Sequence, residues 1–142
     1  MQYETSGEVF WLTLTVLMTA LFWVPYIINR IVENSAWTAL SNPNPDPNPD
    51  PDSGSKALWA QRMMRAHSNA VENLVIFAPL ALAVHILGVS TSATVAACMI
   101  YFFSRAAHFI VYTLGIPVLR TVVFAIGFIA QMTLGLTLLG AL

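Results

Sequence analysis

Arginines, a glutamate, a histidine, amides and phenols recur at helical spacing near the ends of long apolar runs. Arg62, Arg65, Asn69 and Glu72 open one run, Arg105, His108 and Tyr112 close the next, and Arg120 begins the last. Residues 62, 65, 69, 72 and 76 advance by three or four, which puts Arg62, Arg65, Asn69, Glu72 and Ile76 on one helical stripe. Arg65 and Glu72 are then separated by about 10 Å along the helix axis. Tyr101, Arg105, His108 and Tyr112 repeat that spacing on a second stripe, and Arg120, Phe124, Gly127 and Gln131 on a third. Guanidinium groups bind carboxylates, a carboxylate binds an ammonium group, and amides and phenols match peptide-like atoms. Together they fit a small zwitterionic ligand with more than one carboxylate. A charge at the centre of a bilayer costs about 2.5–3.5 kcal/mol on insertion scales, so charges kept there usually face a bundle interior and serve a function.

The elements that must carry these stripes follow from composition. Of 142 residues 57% are hydrophobic and only 9% charged, and the mean hydropathy is +0.69. A soluble domain carries about 25% charged residues, so the chain reads as an all-α integral membrane protein. A net charge of −1 with no basic arm argues against a nucleic-acid partner. Cys98, the single cysteine, lies inside an apolar run, leaving no disulfide framework and no metal-ligand spacing; it reads as a packing residue.

Four runs have the roughly 20 apolar residues that cross about 30 Å of hydrocarbon: residues 9–29, 66–87, 93–114 and 121–142. Glu4 and Glu8 precede the first, with no basic residue, so it is expected to be a retained span rather than a signal peptide. Gly115-Ile116-Pro117 breaks the chain before span four, and Pro25 and Pro79 inside spans each imply a kink. Arg30, Lys56, Arg62, Arg65 and Arg120 all fall on the side of the first and third loops. The positive-inside rule then places both termini outside and those loops in the cytoplasm. Trp11, Trp23, Trp37 and Trp59 fit interfacial anchoring. Residues 41–55, with proline at every second position over much of their length, are expected to form an extended spacer. Without a glycine hinge or terminal glutamate that segment does not form a calcium loop. The chain is read as one domain, 1–142.

Structural roles compete at several positions. Lys56 and Arg62 could snorkel to headgroups. Glu72 could form a purely structural pair with Arg105 or Arg65, and structural and ligand roles are equally open for Arg105. His108 gains a site role from Arg105 and Tyr112, one turn away on either side. His85 reads as structural, and His67 is left open.

The segments Arg65-Ala66-His67-Ser68-Asn69-Ala70-Val71-Glu72-Asn73 and Arg105-Ala106-Ala107-His108-Phe109-Ile110-Val111-Tyr112, with Arg120 opening span four, resemble the MAPEG family, the membrane-associated proteins in eicosanoid and glutathione metabolism. The likeness extends over essentially the whole chain and is to its small bacterial members. It implies a homotrimer of four-helix bundles in a bacterial inner membrane, with glutathione as co-substrate, held between neighbouring subunits at the cytoplasmic side. It implies that Arg120 contacts the glutathione thiol and favours its thiolate, that Arg65, Asn69, Glu72, His108 and Tyr112 hold the tripeptide, and that Arg30 approaches from the neighbour. Arg105 and Thr121, which keeps a hydroxyl where prostaglandin E synthase-like members place a serine, complete the expected glutathione set. Ser68 stands where some members have an arginine and Phe124 where some have a tyrosine, so no particular eicosanoid activity is carried over. The expected function is a glutathione-dependent transferase or peroxidase acting on lipophilic electrophiles or hydroperoxides that enter from the membrane lipid. No metal is expected. The alternative is a non-catalytic membrane module whose charged stripes are structural ion pairs.

Overall fold

The computed structural model describes residues 6–37 and 57–142. The spacer at 41–55 and Lys56 lie outside the described residues. Five helices make four spans: α1 (Gly7–Leu21) and α2 (Val24–Glu33) together form the first, α3 (Leu58–Ile86) the second, α4 (Ser92–Leu114) the third and α5 (Pro117–Leu138) the fourth.

Pro25 does more than kink the first span. It has no N–H for the carbonyl four residues back, and its ring crowds that carbonyl. The carbonyl belongs to Leu21, where α1 ends, and Pro25 then sits in the first turn of α2, where a missing donor costs nothing. Span two begins two turns earlier than its apolar run, at Leu58. At 29 residues α3 is about 43 Å long, more than the hydrocarbon needs, so its opening turns with Arg62 and Arg65 extend toward the headgroups. Span four likewise begins at Pro117, ahead of Arg120, and ends at Leu138.

The turn between α4 and α5 follows from two residues. Gly115 adopts φ +77°, the left-handed region, and the N–H groups of Gly115 and Ile116 bond the carbonyls of Tyr112 and Val111 at 3.0 and 3.2 Å. This is a Schellman ending. Pro117 then starts α5. Arg62 lies over this turn, its guanidinium occupying the space where a Cβ on residue 115 would stand. Arg62 thereby braces α3 against the α4–α5 corner.

α4 is the central helix, burying Thr94, Ala97, Cys98, Tyr101, Ser104, Arg105, His108, Phe109 and Val111. In the half of the bundle near its N-terminus, Leu12, Phe77, Ala81, Val84, Ala97, Cys98, Tyr101, Ala130 and Leu134 make one core, with the Phe77 and Tyr101 rings stacked at 3.8 Å. Toward its C-terminus Phe22, Ala66, Ala70 and Phe109 make a second, with Phe22 and Phe109 stacked at 3.6 Å. Alanines at these contacts let the backbones approach, as packing within lipid requires. Trp11 packs on Phe102 and Phe103 at the edge of the core, whereas Trp23, Trp37 and Trp59 are exposed as anchoring expects.

Glu8, one of the two acidic residues ahead of the first apolar run, is completely buried. Its Oε1 accepts hydrogen bonds from the hydroxyls of Ser90 at 2.7 Å and Thr94 at 2.6 Å. Thr91 and Thr94 also form the capping box that starts α4. The carboxyl group thus sits beside a helix N-terminus, where negative charge is favoured. It staples the start of α1 to the α3–α4 corner. Glu8→Ala removes the acceptor shared by the buried Thr94 hydroxyl and the exposed Ser90 hydroxyl and is expected to destabilise the bundle by about 1–3 kcal/mol. Glu8→Gln, which keeps an acceptor oxygen, is expected to cost clearly less. Thermal unfolding of the two variants in detergent checks the ranking.

Candidate functional site

The three polar stripes meet at the end of the bundle that holds the α4–α5 turn, but they divide between its interior and its outer face. Arg105 is 2% exposed and His108 3%. Nη1 of Arg105 donates to Asn69 Oδ1 at 3.4 Å, and its guanidinium carbon lies 5.6 Å from the centroid of the Tyr101 ring and 5.2 Å from that of Phe124. Aromatic faces are a favourable surface for a desolvated cation. Asn73 donates to the Asn69 carbonyl at 2.8 Å and in turn accepts at its own carbonyl from Gln131 Nε2 at 3.0 Å. One polar seam therefore joins α4 to α3 and α3 to α5. Along it Arg105 Nε and Nη2 and the Tyr101 hydroxyl are buried without a hydrogen-bond partner. Such groups are uncommon in native structures and each calls for a reason.

Nearer the turn, Tyr112 is bracketed by two cationic or protonatable groups. The His108 and Tyr112 ring centroids are 5.5 Å apart, and the Arg120 guanidinium lies 4.7 Å above the Tyr112 ring. Phe124 covers the His108 ring from α5, with centroids 6.0 Å apart. Arg120 is half-buried, held where α5 leaves the turn. Its neighbour Thr121 is exposed, and its hydroxyl donates back to the Pro117 carbonyl at 3.3 Å.

Arg65 and Glu72 stand elsewhere. Both are exposed on α3, and no ion pair links Glu72 to Arg65 or Arg105 among the described residues. Asn69, between them in sequence, turns inward to Arg105. The helix therefore offers one polar group to the interior and two charges to whatever lies outside the single chain. Arg30 is half-buried in the last turn of α2. A groove of about 410 Å³ runs beside Glu72, lined by Tyr26, His67, Ser68 and Val71. Among the described residues no three His, Cys, Asp or Glu side chains gather as metal ligands.

Three features of this region were not read from the sequence. Tyr26 meets His67 across 2.9 Å, which gives His67 a partner. The link from Asn73 to Gln131 runs through a backbone carbonyl, which no side-chain pattern reveals. Gly127 gives Arg105 its space. A Cβ there would lie 2.6 Å from Ser104 Oγ and 2.8 Å from Arg105 Nη2, so the guanidinium rests against bare α5 backbone.

In comparison with known proteins, the chain matches the model of the MAPEG family over residues 9–140, the whole bundle. No curated protein and no solved structure gives a significant match.

Gly127→Ala is expected to destabilise the protein by about 1–3 kcal/mol, because the new methyl forces Arg105 or α5 to move. Gly135→Ala on the same helix meets nothing within 4 Å and is expected to be neutral or to stabilise by up to about 1 kcal/mol. Melting temperatures of the two variants give the comparison.

Proposed function

Because this chain belongs to the MAPEG family, we propose that it is a membrane-embedded glutathione-dependent transferase or peroxidase that assembles as a homotrimer. The observation that carries the reading is the exposure of Arg65 and Glu72 on a membrane-spanning helix without an ion pair to each other or to Arg105. Left facing acyl chains, Glu72, about 10 Å deeper along the axis than Arg65, would carry a cost that reaches about 2.5–3.5 kcal/mol at the bilayer centre. A neighbouring copy of the chain and a zwitterionic ligand between the two remove that cost. Val75, 70% exposed, and Ile76, 52% exposed, continue the same face of α3 toward the bilayer centre and supply apolar contact for the neighbour.

Glutathione suits the groups available. Its two carboxylates call for arginines, among which Arg65, Arg105 and the neighbour's copy of Arg30 serve. Its ammonium group calls for Glu72, and its amides for Asn69, His108, Tyr112 and the Thr121 hydroxyl. Arg120, steadied over the Tyr112 ring, is the catalytic residue. A cation beside the thiol lowers its pKa from about 8.5, each unit favouring the thiolate by about 1.4 kcal/mol. In conjugation the thiolate sulfur forms a bond to an electrophilic carbon as the leaving group departs with its electron pair. With a hydroperoxide the sulfur takes the distal oxygen and its proton as the O–O bond breaks, the alkoxide leaves with the bonding pair and is protonated to the alcohol, and a second glutathione converts the sulfenic acid to disulfide and water. Either lipophilic partner reaches the site from the hydrocarbon, and much of the acceleration comes from positioning and from electrostatics in a water-poor place.

The non-catalytic alternative draws on Arg105, which the interior already accommodates with Asn69 and two aromatic faces. The two readings separate by ultraviolet difference absorption of detergent-purified protein on adding glutathione. A saturable thiolate band is expected in the wild type and its loss in Arg120→Ala, with conjugating activity reduced on the order of 10²-fold and the oligomer intact by light scattering. Absence of the band in the wild type, together with collapse of the oligomer on neutralising Glu72, would favour the structural module.

A further inference from the structure

α2 is attached to the bundle unlike any other helix. None of its residues is buried, and a break at Phe22 and Trp23 separates it from α1. Two hydrogen bonds are among the interactions that seat it on α3. The Tyr26 hydroxyl meets His67 Nδ1 at 2.9 Å, and Glu33 Oε1 accepts from the backbone N–H of Ala57, just before α3, at 3.0 Å. Tyr26, Arg30 and Glu33 follow one another at i, i+4 and i+7 and therefore share one face of α2. Arg30 lies between the two ties, about 6 Å along the axis from Tyr26. With no buried side chain to hold α2, those ties decide how it is rolled and where Arg30 points.

The same pair lies beside Glu72 of its own chain. Tyr26 and His67 line the groove of about 410 Å³ that Ser68, Val71 and Glu72 complete. The imidazole is fixed by a partner on another helix, so its ring plane is set by α2 as much as by α3. The Phe22 ring stands edge-on to it at 6.3 Å, which limits its rotation at the hinge.

We infer that Tyr26 and His67 are positioning residues for the anion-binding arginine of α2: their hydrogen bond seats the helix so that Arg30 is presented to a carboxylate of the ligand. The inference rests on the reading that glutathione is that ligand. Tyr26 and His67 themselves touch no reacting atom in this scheme. Their effect passes through Arg30, so it belongs to ligand affinity and not to the chemical step.

The experiment uses the full chain in detergent, with glutathione affinity from the thiolate-band titration and kinetics with a chlorodinitrobenzene as electrophile. Tyr26→Phe is expected to raise both the dissociation constant and the KM for glutathione about threefold to tenfold, the worth of one neutral hydrogen bond, with kcat within about twofold. His67→Leu should behave alike, and His67→Asn, whose amide oxygen takes the place of Nδ1, should restore most of the affinity. In an Arg30→Ala background Tyr26→Phe should have no further effect, since non-additivity of the two changes reports that one acts through the other. Equal losses in both backgrounds, or wild-type affinity in Tyr26→Phe, would overturn the positioning role while leaving the glutathione reading in place. Failure of the wild type to bind glutathione would overturn both.

Discussion

A guanidinium held at hydrocarbon depth with a single protein hydrogen bond constrains the rest of the bundle. Arg105 cannot shed its charge, and the removal of such an ion from water costs several kcal/mol even after relaxation. The surrounding helices are arranged to moderate that cost. α3 turns Asn69 inward, α4 and α5 set the rings of Tyr101 and Phe124 near the cation, and α5 places its one close-approach glycine where the guanidinium needs room. These demands fix the rotation of α3, α4 and α5 about their axes. Glu72 and Arg65, on the same helix as Asn69, are turned outward as a geometric result. The interior cation and the exposed charges are therefore two sides of one choice of helix rotation.

The four spans were legible in the sequence because hydropathy alone reports them, and α3, α4 and α5 lie where the apolar runs do. Their ends were less so. Residues 58–65 and 117–120 are polar enough to fall outside an apolar window yet continue the helix, since Ala57 and Pro117 start turns that nothing interrupts. The stripe of Arg105, His108 and Tyr112 could be read from spacing, as could the Gly115-Ile116-Pro117 break before Arg120. Which way each stripe faces could not. Asn69 and Glu72 share a stripe three residues apart, but one reaches the interior and the other does not. The burial of Glu8 was not legible either, because its hydroxyl partners at 90 and 94 lie more than eighty residues away.

Tightness is unevenly distributed. α4 is enclosed by its neighbours, and both aromatic stacks and the polar seam run through it. α2 hangs on a few hydrogen bonds beyond a helix break. A site that closes around a ligand benefits from such a division, because a rigid floor fixes the reacting atoms while a weakly docked element adjusts around them. The first span is thus one crossing built from two helices.

The stacked rings of Phe77 and Tyr101, together with Leu12, Val84 and Leu134, occupy the section of the bundle between Glu8 and Arg105. Ionisable groups therefore exist toward both ends, but the intervening section is a packed apolar layer. For a membrane that stores energy as an ion gradient this layer is an insulator. On the glutathione-dependent reading proposed above, thiolates and protons handled beside Arg120 are exchanged with one aqueous compartment alone, and that chemistry draws no current across the bilayer.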